Sequence, residues 1–243
     1  MRSLYFLVLV FSLSLAPQLL KAQAFWIDHS WQVAPNNEKR FMTAFEEFRK
    51  SEIYQQFKGK IWFNVNVADG ADPATHSFAT VYDSLEEFEE LSAQLAVNDD
   101  WFKFRRALSA AGNLVTTTTY MHVSGYGHHP KDKSAFVGSI AQVTNPRAFI
   151  ASLDKMMAAN YTADFPGSLD VWQILSGGPP SASHLVVFGY DRFSEGVNYV
   201  NKMANNPEFT ASFANLSQHR NLLGTIWVNS VGKFGPSDLK GMR

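Results

Sequence analysis

Trp62, Asn64 and Asn66 fall at alternate positions of one apolar run, and Asp170 and Trp172 at alternate positions of another. Aromatic walls set with a few amides and one carboxylate are the usual make-up of a pocket for a small organic molecule. On such a face Asp170 would lose its water, which raises a carboxyl pKa and makes it a candidate general base. The same residues would serve equally as a core between packed sheets, with Asn and Asp bonded across it or placed at a wet rim. Tyr120 and His122 share one face of a later run whose counterpart carries Val228 and Ser230, so a site there would use the first half of the chain alone. His76 and His184 stand at matching positions of the two halves. Imidazole titrates near neutral pH, so His76 is a candidate proton acceptor beside Asp170, and His184 a candidate ligand contact. The plainer alternative makes each a strand-end His bonded to a neighbouring loop carbonyl. No His-x-x-x-His or His/carboxylate spacing supports a metal, and neither metal nor cofactor is expected.

Other suggestive stretches carry no chemistry. His128-His129-Pro130 reads as a solvated turn, and Thr116 to Thr119 as β-propensity. Gly177-Gly178-Pro179-Pro180 has no helix after it and is a turn, not a phosphate loop. No Gly-x-Ser-x-Gly occurs.

The elements that must position these residues repeat. At a constant offset of 108, Tyr82-Asp83 matches Tyr190-Asp191, Glu87 matches Glu195, Asn98 matches Asn206, and Gly127 matches Gly235. A gapless match through loops as well as apolar runs indicates two copies of one folding unit. In each copy the pattern predicts strand, helix, strand, strand, helix, strand: the βαββαβ order of a ferredoxin-like unit, in an α+β fold. The boundaries expected are a first repeat over 25–127, a linker over 128–134, a second repeat over 135–235 and a tail over 236–243. The first helix is predicted from a cap at Asn36 or Asn37, with its apolar stripe running through Ile53, to a stop at Gly59, and the fourth and eighth strands over 114–123 and 222–231. Helices cover one face of such a sheet, so the Trp62/Asp170 faces need a partner surface, which packing the two sheets face to face supplies.

Tyr82-Asp83-Ser84 followed by Phe88 and Asn98-Asp99-Asp100-Trp101-Phe102, and Tyr190-Asp191 followed by Asn206-Pro207-Glu208-Phe209, resemble the dimeric α+β barrel superfamily of the antibiotic-biosynthesis-monooxygenase kind. The resemblance implies an intramolecular barrel, a tandem in place of a homodimer. It also implies the activities of that superfamily: cofactor-independent oxygenation, lactone isomerisation or haem degradation, in pockets between sheet and helices. The His that such enzymes often place in or just after the second helix is absent here. Ser92-Ala93-Gln94-Leu95 and Val200-Asn201-Lys202-Met203 precede the step, and Arg105 and Phe213 follow it.

Composition narrows the function classes. Arg2, the apolar run Leu4 to Leu15 and Ala22-Gln23-Ala24 read as a signal peptide over 1–24, so a periplasmic or secreted protein is expected. Cleavage leaves 219 of the 243 residues and, because the leader holds Arg2 and Lys21 but no acid, moves the formal charge from −1 to −3. That balance argues against nucleic acid as a partner. The absence of Cys removes disulfides, thiol nucleophiles and Cys-type metal sites. No later run reaches the roughly 20 apolar residues of a transmembrane helix. The expectation is an exported monomer with an internal pseudo-twofold that binds, or acts on, a small apolar organic molecule. The alternatives are a non-catalytic envelope protein and a haem- or metal-handling one.

Overall fold

A computed structural model describes residues 23–70 and 72–235. The signal-peptide stretch, apart from its last two residues, and the tail from Pro236 lie outside them. The first half runs β1 (Phe25–Val33), α1 (Glu38–Phe48), α2 (Glu52–Gln55), β2 (Lys60–Ala68), β3 (His76–Tyr82), α3 (Leu85–Leu95), α4 (Asp99–Ser109) and β4 (Gly112–Gly127). The second runs β5 (Ala135–Val143), α5 (Pro146–Met157), β6 (Ser168–Ser176), β7 (His184–Tyr190), α6 (Phe193–Ala204), α7 (Pro207–Ser217) and β8 (Arg220–Phe234).

Local chemistry places the helices. α1 buries Phe41, Ala44, Phe45 and Phe48 at three- and four-residue spacing, one stripe facing the sheet. The single helix predicted through Ile53 is in fact two, because the Ser51 hydroxyl accepts from Tyr54 N and starts α2 afresh. Matching residues do matching work. Asn98 and Asn206 cap α4 and α7 through their side-chain oxygens, and Glu87 and Glu195 accept from the amides of Asp83 and Asp191. Ser84 completes a capping box with Glu87, whereas Arg192 at the corresponding place gives α6 no side-chain cap.

The strands close into a barrel in the order β1-β3-β2-β8-β5-β7-β6-β4. The two four-stranded sheets face each other and are also hydrogen-bonded at both edges, β2 to β8 and β4 to β6, all antiparallel. This explains why β4 and β8 outrun their predicted ends. Ser124 to Gly127 pairs with β6, and Gly232 to Phe234 pairs with β2, partners that lie in the other half of the chain. Gly127 (φ 73°) and Gly235 (φ 96°) end these strands in the left-handed region, and a Cβ on either would run into the carbonyl oxygen of Gly167 or Gly59 respectively.

Three apolar layers result. Phe41, Phe45, Phe78 and Phe104 fill the space between the first sheet and α1–α4, with Phe48 stacked on Phe104 at 4.5 Å. Phe149, Leu153, Leu169 and Val186 do so between the second sheet and α5–α7. The barrel interior holds Trp62, Trp172, Ala79, Val81 and Leu185. Each large side chain so buried contributes about 1.5–3 kcal/mol, which carries a chain without disulfides past its ordering entropy. Among the described residues no helix is long and apolar enough to cross a membrane.

Candidate functional site

The interior is not filled. A cavity of about 420 Å³ runs along it, within the roughly 300–1,000 Å³ typical of small-molecule sites. Antiparallel pairing brings the β2–β3 and β6–β7 turns to the same end of the barrel, and Asp69, Asp72, Pro73, Gly178 and Pro179 of those turns line the cavity there.

Alternation along each strand decides which side chains face inward. β1 contributes Trp26, Asp28 and Ser30, and β2 contributes Trp62, Asn64 and Asn66. Ser77 comes from β3, and Thr118 and Tyr120 from β4. The second half answers with Phe136, Ile140, Leu185, Val187, Ile226 and Val228, besides Asp170 and Trp172. Asp170 apart, the polar side chains of the cavity therefore come from the first half and the second half's wall is apolar. At matching positions Asp28 corresponds to Phe136, Ser77 to Leu185, and Tyr120 to Val228.

The aromatic residues form one cluster. Trp26 stacks on Tyr120 at 4.3 Å and meets Trp172 edge-on at 5.2 Å, and His122 meets Trp172 edge-on at 4.9 Å. His122 Nε2 lies 3.3 Å from Asp170 Oδ1, both side chains buried. A bound molecule would reach Asp170 on the cavity side and His122 only through it.

Asp28 is the titratable group that stands out. Burial pushes its carboxyl up to about 6; the Ser30 and Ser77 hydroxyls pull it back down, and the Asp72 charge adds to the rise. The Ser30 hydroxyl donates to Asp28 Oδ2 at 2.7 Å. Asp28 is partly buried and lines the cavity. Tyr120 is pushed up by burial and then by the Asp28 charge, so it remains a phenol and a hydrogen-bond donor at any physiological pH.

Of the residues singled out from sequence, Trp62, Asn64, Asn66, Asp170, Trp172 and Tyr120 line this one cavity, and His122 sits directly behind it. Asn66 does structural work there, its amide donating to Asp69 Oδ2 at 2.9 Å and to Ala74 O at 3.0 Å to fix the β2–β3 turn. His76 and His184 are elsewhere. Each opens its strand on the helix-facing side, His76 against Phe41 and Phe63 and His184 against Phe149, so the two face different helical layers and do not meet. Each ring is bonded through Nδ1 to the hydroxyl just before it, Thr75 or Ser183, at 2.9 Å. Burial lowers the pKa of both. Among the described residues no group of three or more His, Cys, Asp and Glu is placed to hold a metal.

Sequence reasoning missed Asp28, Ser30, Ser77 and Trp26. The signal is present in β1, where Trp26, Asp28 and Ser30 alternate with the other set, but the parity that catches the eye there is that of His29, Trp31 and Val33. His29 lines a second cavity of about 520 Å³ between the first sheet and its helices, with Ile27, Phe78, Arg105 and Thr117. Its Nδ1 is 3.0 Å from Thr117 Oγ1, and burial, with the Arg105 charge, lowers its pKa to about 4.

No family model matches the chain, and no curated protein matches it significantly by sequence. Solved structures do. A candidate monooxygenase from Fusobacterium nucleatum superposes with a TM-score of 0.59 at 9% identity, over 88% of this chain and 95% of that one. An anthrone oxidase-like protein gives 0.54 at 13% identity, over 87% and 92%. A haem-binding protein from Thermus thermophilus gives 0.53 at 8% identity, over 86% and 92%. The chain thus shares the mixed α+β barrel fold of these neighbours. At these identities the likeness speaks for the fold alone.

Proposed function

We propose that this chain binds a small organic molecule with an apolar body and a polar head inside the barrel. The observation that carries the reading is the 420 Å³ cavity, whose polar side chains come from one half except for Asp170, while the rest of the other half's wall is apolar. Phe136, Leu185, Val187 and Val228 would take the body; Asp28, Asn64 and Ser77 would take the head. Asp28 replaces Asp170 as the group best poised to exchange a proton, because its pKa of about 6 is near neutral and no imidazole already engages it. Should the protein isomerise or oxygenate its ligand, Asp28 is where the proton would go. We read the two halves as copies of one unit that have diverged on their inward faces.

A titration with the neutral fluorophore prodan tests this. The purified protein should bind it with a blue shift, and quench through Trp26, Trp62 and Trp172. Filling the cavity with Ala79→Phe, or from the opposite wall with Val187→Phe, should weaken binding at least tenfold while circular dichroism stays unchanged. Undiminished binding in both folded variants would sink the reading. We further propose export: cleavage after Ala24 would leave the first residue of β1 as the new terminus, at the cost of the bond from His122 N to Ala24 O. Fractionation followed by intact mass should find a chain beginning at Phe25.

A second reading rests on the sheet–helix cavity and His29. The ring is neutral at physiological pH, Thr117 holds one nitrogen, and Arg105 could pair an acidic group, so His29 would hold the iron of a haem and Arg105 one of its carboxylates. Bound haem would supply redox chemistry there. A Soret band on adding haemin, abolished by His29→Ala, is the outcome this reading requires.

A further inference from the structure

The lining of the barrel cavity includes four carboxyl groups, Asp28, Asp69, Asp72 and Asp170, and among the described residues no Lys, Arg or His. Asp69 and Asp72 are engaged at the open end by Asn66 and the Ala74 amide, and Asp170 is engaged by His122. Asp28 lies deeper on the polar wall with the hydroxyls of Ser30 and Ser77 as its partners. Lys60 Nζ stands 5.6 Å from the Trp62 ring centroid, at the opposite end of β2 from Asn66 and the acidic turn.

A second, independent observation, among the described residues, is a buried acceptor without a partner on a residue of the polar wall, together with the unpartnered indole N–H donors of Trp26 and Trp62. Asn64 is 6% exposed. Its amide nitrogen donates to Ser77 Oγ at 3.2 Å, and the Ser77 hydroxyl is in turn bonded to Asp28. With Asn64 Nδ2 donating to Ser77, the other end of the amide, Oδ1, is left to find its own partner. Asn64 Oδ1 has no partner among the described residues. A buried acceptor left so is destabilising, and a donor on a bound molecule would recover that loss. Trp26, Trp62 and Trp172 line the same cavity, and indole faces attract cations once water is excluded.

We propose that the barrel interior recognises a small organic cation: an alkyl- or arylalkylammonium whose head lies between Asp28 and Asn64 Oδ1 and whose body lies against Phe136, Leu185 and Val228. The proposal rests on the cavity reading above and adds the ligand class. A carboxylate ligand would meet acids with no basic partner in the wall. A neutral one would leave the Asp28 charge, desolvated by the ligand itself, uncompensated. An ammonium head satisfies the carboxylate and the amide oxygen together, through up to three N–H donors.

The test is a calorimetric series on the wild-type protein at pH 7.5, using 2-phenylethylamine, its neutral counterpart 2-phenylethanol and its acidic counterpart 3-phenylpropanoate, with prodan as a reference ligand. The amine should bind at least tenfold more tightly than the alcohol, and the acid least. Asp28→Asn should reduce amine affinity tenfold or more and leave the alcohol within twofold. Asn64→Leu, a second variant independent of the carboxylate, should also weaken the amine more than the alcohol. Alcohol or acid binding as tightly as the amine would overturn the cation proposal and leave the cavity reading intact, as would prodan binding with no response to any of the three. Failure of all four to bind would overturn both.

Discussion

Asp28 shows how one buried carboxyl ties stability to pH. Its folded pKa of about 6 lies above its ordinary value near 4, so between those limits the native state holds a proton that the unfolded chain releases. The stability it contributes is therefore present in full below about pH 4 and is lost as pH rises through about 6. Asp28→Asn keeps the shape and removes the charge. It should gain about 1–2 kcal/mol at pH 7.5 and nothing measurable at pH 4, read as the difference in urea midpoints at the two pH values. A bound ammonium should give the wild type the same gain, by pairing the charge instead of deleting it. The sequence carries the alternation of Trp26, Asp28 and Ser30 but not which of the two sets in β1 faces inward, and that is decided only when the barrel closes. His76 and His184 illustrate the converse. Their equal placement in the two halves suggests shared chemistry, yet it sets each against a hydroxyl on the helix side of the sheet.

At the level of elements, the sequence is legible wherever a rule is local. The strands His76–Tyr82 and His184–Tyr190 are legible from turns and alternation in the sequence. The Asn98 and Asn206 caps announce α4 and α7 in the same way. What local rules do not reach is the far end of β4 and of β8, where the strand is prolonged by a pairing partner in the other half of the chain. The glycines there test this directly. Gly127→Ala and Gly235→Ala force a side chain into the left-handed region and against a carbonyl of the other half, and each should cost at least about 2 kcal/mol. Gly70→Ala carries the same backbone penalty (φ 69°) with open space around it and should cost only about 1 kcal/mol. Thermal melts of the three variants compare the seam with the free turn.

For the whole molecule, closure at both seams means that neither half has a free sheet edge, and that the interior layer is built by both halves together. Unfolding should accordingly be a single transition, with tryptophan fluorescence from Trp62 and Trp172 and far-ultraviolet dichroism falling at coincident denaturant concentrations. Separate transitions for the two halves would show that the seams are weaker than their pairing suggests. The continuity of the chain has a further consequence for the cavity. A barrel assembled from two identical chains shows every inward residue twice, so an acid placed on one wall is answered by the same acid on the other. A mutation there cannot improve one wall without imposing itself on its opposite. Here each wall is written once. Asp28 can face a lining that has Phe136 in its mirror place, and a single substitution can retune the head of the binding site while the surface that grips the body stays as it was.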